Sequence, residues 1–165
     1  TDSTGDDIWY AKIRHEGNAI RLDDNQLFLK TGSDESNGRI SPNGRYLAYE
    51  TDRSGQFEVM IRSFPDQGSQ WPVSSGGGRA PLWHGDKLYY ISNGALMAMS
   101  VQAGAKLRLG RAVKLFDLPD RVVDGFDISR DGRRFLMVQQ VGETENVQTT
   151  ITVVENWYAE FKDRK

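Results

Sequence analysis

His15 and His84 are the only histidines, and they stand far apart in the chain with no further ligand at metal spacing around either. A zinc site needs two or three nitrogen or sulfur donors in convergent positions, and the chain has no cysteine. Both histidines therefore read as turn or surface residues. The acidic stretches Asp6-Asp7 and Asp23-Asp24-Asn25 carry the oxygens that hard cations take, but they lack the regular spacing and central glycine of a calcium loop. They read as solvated turns, and no metal is expected. Ser75-Gly76-Gly77-Gly78-Arg79 has the glycine density of a phosphate loop. Pro81 and the extended "LWHG" follow it, where phosphate binding would need a helix N-terminus and a Lys-Ser or Lys-Thr pair. Nucleophilic hydrolysis would need a Gly-x-Ser-x-Gly elbow on a strand-to-helix turn, and the sequence has none. Ser41 and Ser129 lie instead in turn sequences, where a hydroxyl satisfies backbone donors. No catalytic residue and no cofactor are expected, so the chain reads as a non-enzyme.

The chemistry left over is recognition. Arg53, Arg79, Arg121 and Asp124 fall in polar stretches, 52–56, 74–79 and 119–125, and could hydrogen-bond carboxylates or a peptide segment. The elements that must carry them are hairpins. In "RISPNGRYLAYETDRSGQFEVMIRSF", residues 39–64, Ser41-Pro42-Asn43-Gly44 suits a type I turn with Pro pre-setting φ and Gly accepting the left-handed return. A half-buried strand follows, then a polar turn at 52–56, then another strand. The pattern recurs. Leu47, Leu88 in "WHGDKLYYIS" and Phe135 in "ISRDGRRFLMVQQ" align at spacings of 41 and 47 residues. Each copy runs on into a further strand, "FEVMIRSF", "ALMAMSVQ" and "TTITVVENW". Strands are expected near 46–51, 57–63, 87–92, 96–101, 134–140 and 149–155, with fourth strands in "SQWPVSS" and "AVKLFDL".

A period in the forties, with four strands and a glycine-bearing turn per unit, is the signature of propeller blades. "ISPNGRYLAYETDRSGQFEVMI" resembles the repeat of TolB-type (WD-like) β-propellers, and "FDISRDGRRFLMVQQ" with "ITVVENWYAEFK" is similar to the C-terminal end of such propellers in large bacterial proteins. Asn43 replaces the usual Asp, and "WHGD" has lost the Ser and Pro of the motif. The expected fold is all-β, with blades of four antiparallel strands and about three blades present, a partial or half propeller. A half blade is assigned to 5–25, blades to 39–75 and 80–118, and an incomplete last blade to 126–157 with a tail at 158–165. In such a propeller the loops at 52–56, 74–79, 92–94 and 119–125 share the channel mouth. The resemblance implies a non-enzymatic protein- or peptide-binding module acting through those loops. The alternative is an accessory or gating propeller of a peptidase or kinase whose catalytic domain lies elsewhere. It also favours a periplasmic or extracytoplasmic setting, which the residues themselves leave open.

Composition is consistent with short strands and turns: 165 residues, 17 of them Gly, with a formal charge of −2 and a pI near 5.7. That charge supplies no field to attract nucleic acid, and no stretch approaches the roughly 20 apolar residues of a membrane span. Only the residues from Trp157 onward could begin a helix. No leader-like segment opens the chain, and its start in mid-blade reads as a fragment of a longer protein. An arc of blades also leaves unpaired edges at both ends, which natural sheets rarely tolerate. Two copies exchanging their incomplete ends would close a six-bladed homodimer.

Overall fold

The computed structural model describes residues 5–104, 106–119, 122–140 and 153–155, and these form an all-β protein with no helix among them. The helix start expected at Trp157 lies outside the described residues. The chain divides into two compact units, Thr1–Gly77 and Gly78–Lys165. Six strands belong to the first: β1 (Ile8–Glu16), β2 (Ala19–Leu29), β3 (Glu35–Ile40), β4 (Tyr46–Thr51), β5 (Glu58–Ser63) and β6 (Gln70–Pro72). Eight belong to the second: β7 (Arg79–His84), β8 (Lys87–Ser92), β9 (Ala95–Ala103), β10 (Leu107–Leu109), β11 (Val113–Asp117), β12 (Val122–Ile128), β13 (Arg134–Gln139) and β14 (Val153–Glu155).

In the first unit, β3-β4-β5-β6 is an antiparallel meander of four strands in chain order. Its first turn is built as the sequence prescribes. Gly44 N donates to Ser41 O at 2.8 Å and Ser41 N to Tyr46 O at 2.8 Å. The Ser41 hydroxyl takes the Tyr46 amide at 3.1 Å, and Asn43 Oδ1 takes the Arg45 amide at 3.0 Å. The same scheme recurs at 129–134 in the second unit, with Ser129, Asp131 and Gly132 in the corresponding roles. Asn43 thus does in one turn what Asp131 does in the other, because both offer a side-chain oxygen two residues before the amide it accepts.

The hairpin β1-β2 is a separate two-stranded sheet. Its base packs on the meander through Phe28, Leu29, Leu47 and Tyr49, with Ile8, Tyr10, Met60 and Phe64 beside them. Phe64 lies 5.0 Å from Tyr10 and 5.2 Å from Phe28, centroid to centroid. Beyond this base one face of the hairpin is apolar and exposed, since the register sets Trp9 across from Leu27 and Ile13 across from Leu22.

In the second unit β7, β8 and β9 pair in order, and β10 and β11 share the far edge of β9. β12-β13-β14 form another antiparallel sheet. Tyr89, Leu96, Ala98, Leu115, Phe135 and Met137 make the core. Phe135 stands at its centre, in ring contact with Tyr89, Phe116 and Phe126. Burying a side chain of this size stabilises by about 1.5–3 kcal/mol. Two residues placed in loops by the sequence lie in strands. Arg79 begins β7 rather than ending a connection, and Asp124 lies within β12. Gly125 marks an irregularity there rather than a turn: β12 advances four residues from Val122 to Phe126 while β13 advances two, from Gln139 to Met137. Glycine inside a strand commonly accompanies such a bulge.

Candidate functional site

Strand periodicity builds the site. Because alternate residues share a face, the register of β4 with β5 sets Thr51 across from Glu58, Tyr49 across from Met60 and Leu47 across from Arg62. β3 adds Glu35 across from Thr51, and β6 adds Pro72 across from Met60 and Gln70 across from Arg62. That face forms the floor of a hollow of about 370 Å³, walled by Leu29 and Thr31 on one side and by Ser74 and Ser75 on the other, with Arg53 and Ser54 at its rim. The opposite face holds Ala48, Val59 and Ile61, all fully buried.

Hydrogen bonds fix the walls. Asp34 N donates to Asp52 Oδ1 at 2.9 Å and Asp52 N returns to Asp34 O at 3.3 Å, tying the turn that carries Arg53 to the segment before β3. Across the hollow, Glu58 accepts from the Ser74 hydroxyl, from Gly76 N and Gly77 N at 2.8 Å each, and from Gln56 Nε2 at 3.1 Å. Burial is the largest single influence on Glu58 and acts to raise its pKa. The bonds from Ser74, Gly77, Gly76 and Gln56 outweigh it and hold the carboxyl below its ordinary value. The glycine amides that could have cradled a phosphate are thus committed to an internal carboxylate. Tyr49 titrates above its ordinary value chiefly because it is buried. The Arg62 and Arg53 charges pull the other way, and Glu35 adds to the rise. The Arg62 guanidinium also donates to Gln67 O through Nε and Nη2, at 3.2 and 3.1 Å.

Glu35 is the least expected wall residue. It is only 2% exposed. Its Oε1 accepts from the Thr31 hydroxyl and from Thr51 Oγ1, the latter at 3.4 Å, whereas Oε2 is buried with no donor. Of the four binding residues expected from sequence, Arg53 lines this hollow, as does Ser75 of the glycine run. Arg79 and Asp124 belong to the second unit, and Arg121 lies outside the described residues. Glu35, Tyr49, Glu58 and Arg62 escaped sequence reasoning because strand charges look like ordinary solvent-facing positions. The available signal was Tyr49-Glu50-Thr51 beside Glu58-x-x-x-Arg62, polar residues inside strands that had to pair. His15 is exposed on β1, while His84 ends β7 with its ring 6.4 Å from that of Tyr89. Among the described residues no group of three or more His, Cys, Asp or Glu is placed to hold a metal ion, and no helix is long and apolar enough to cross a membrane.

No family model matches the chain, and no curated protein matches it. Among solved structures it is similar to the crystal structure of a functionally unknown protein from Desulfotomaculum acetoxidans DSM 771, at 12% identity and a TM-score of 0.42. The match covers 89% of this chain but 62% of that one, so the chain spans less than two thirds of that protein's length.

Proposed function

We propose that this chain is part of a β-propeller and serves as a non-enzymatic recognition module, taking a protein or peptide segment into the hollow on the Tyr49 face of its first unit. The observation that carries the reading is the hollow itself. At about 370 Å³ it falls within the size range of ligand sites, and its lining sets a few apolar side chains among a larger number of polar and charged ones. Leu29, Met60 and Pro72 supply the apolar contact, and Arg53, Ser54 and Ser75 offer polar groups at the entrance. The sequence motifs of propeller repeats support the architecture, as does the four-stranded meander that carries the site.

Selection of binding peptides from a random library tests this. Selected peptides are expected to bind the wild-type chain and to lose at least tenfold in affinity to Ser75→Trp, which fills the hollow from an exposed position, while circular dichroism is unchanged. Peptides that bind Ser75→Trp as well as wild type would place recognition elsewhere and overturn the proposal.

A further inference from the structure

Two buried carboxylate oxygens among the described residues lack a hydrogen-bond donor, Asp7 Oδ1 and Glu35 Oε2. They are not equivalent. Asp7 pairs through its other oxygen with Lys30 Nζ at 3.0 Å, so its charge is compensated. Glu35 receives only two threonine hydroxyls, both on Oε1. A carboxylate has about four acceptor sites on its two oxygens, and a buried polar atom left without a donor costs about 1–3 kcal/mol, more when charged. Neither Arg53 nor Arg62 is hydrogen-bonded to Glu35: Arg62 Nε and Nη2 point to Gln67 O, and Arg53 stands exposed at the rim. Glu35 is one of the residues lining the hollow, and its Oε2 is covered from water, so a donor that presses into the hollow past that cover is the group that would supply what Oε2 lacks.

Resting on the peptide-binding reading, we infer that the hollow receives the cationic side chain of a lysine or arginine, with its ammonium or guanidinium held by Glu35 Oε2. The walls match both halves of such a side chain. Its methylene stem gains from lying along Leu29, Met60 and Pro72, as the stems of long cationic residues do on apolar surface. The charged head reaches a carboxylate shielded from water, where a charge-assisted bond is about twice as strong as a neutral one. Glu58 is not the receptor, since its oxygens already hold Ser74, Gly76, Gly77 and Gln56.

The probes are capped tripeptides with a central lysine, arginine or norleucine, followed by backbone amide shifts of Thr31, Glu35, Tyr49 and Thr51. The lysine or arginine peptide is expected to bind at least tenfold more tightly than norleucine. Glu35→Gln is expected to erase that preference while keeping the fold by circular dichroism, because the amide is isosteric and its oxygen still accepts from the Thr31 and Thr51 hydroxyls. Competition by n-butylammonium but not by n-butanol checks the same preference without any variant. If norleucine binds as well as lysine and Ser75→Trp blocks both, the hollow takes peptides without reading charge, and only this inference falls. If no selected or synthetic peptide shifts the four amides, this inference and the proposed function fall together.

Discussion

Gly44 and Gly132 occupy the same place in two turns with matching hydrogen bonds, and both have φ of +69°. Alanine at either position must adopt the left-handed conformation, at about 1–2 kcal/mol. The surroundings differ. A Cβ on Gly44 meets nothing within 4 Å, whereas one on Gly132 comes within 3.1 Å of His84 Nε2. The imidazole is half-buried at the end of β7 and stacked edge-on to Tyr89, so it yields only by disturbing that contact. Crowding of this kind adds roughly 1 kcal/mol. Gly44→Ala should therefore speed native-state hydrogen exchange of the β4 amides about 5- to 30-fold, and Gly132→Ala should speed that of the β13 amides about fivefold more. The assay is residue-resolved exchange by NMR on both variants, repeated in a His84→Ala background. There the excess at Gly132 should vanish, because contacting residues couple and distant ones do not. Equal effects of the two glycine substitutions, or an excess that survives removal of His84, would refute the reasoning.

Two further outcomes are expected. Glu58 and Asp131 both titrate below their ordinary values: in Glu58 hydrogen bonds overcome burial, and in Asp131 the bonds from Ser129 and Arg133 N dominate. A depressed folded pKa stabilises above the unfolded value, near 4.3 for Glu and 3.9 for Asp, and that stability is lost as pH falls through the folded value. On acidification the amide shifts of Gly76, Gly77 and Arg133 should titrate below those unfolded values, while Arg45, held by Asn43, should not; a matching titration at Arg45 would contradict this. The second concerns assembly. If two copies complete each other's end sheets, the exposed hairpin face with Trp9 and Leu22, 59% and 73% exposed, becomes covered. Light scattering at micromolar concentration should then report a dimer that Trp9→Glu with Leu22→Glu converts to monomer, and a soluble monomeric wild-type chain would end the composite-propeller idea.

The sequence by itself determined several of the strands and the turns that join them. Tyr46–Thr51 and Lys87–Ser92 are strands where they were expected, and Ser41-Pro42-Asn43-Gly44 closes the turn it spells. These are local matters: apolar and β-branched content, a proline that presets φ, a glycine that accepts positive φ. Glu35–Ile40 and Val122–Ile128 were not legible as strands. Their glycines, Gly38 and Gly125, punctuate a sequence like loops, and only pairing with β4 and β13 holds them extended. The candidate site belonged wholly to tertiary structure. Arg53 was visible as a charge in a polar turn, but its neighbours in the hollow come from β2 through β6 and the turns between. Which of the charged strand residues share a face depends on register, and register is a long-range property that a one-residue slip reverses. Glu35 shows the limit most clearly. In sequence it is one acid among 23 acidic residues, and only the closing of β3 against Thr51 buries it with one oxygen unanswered.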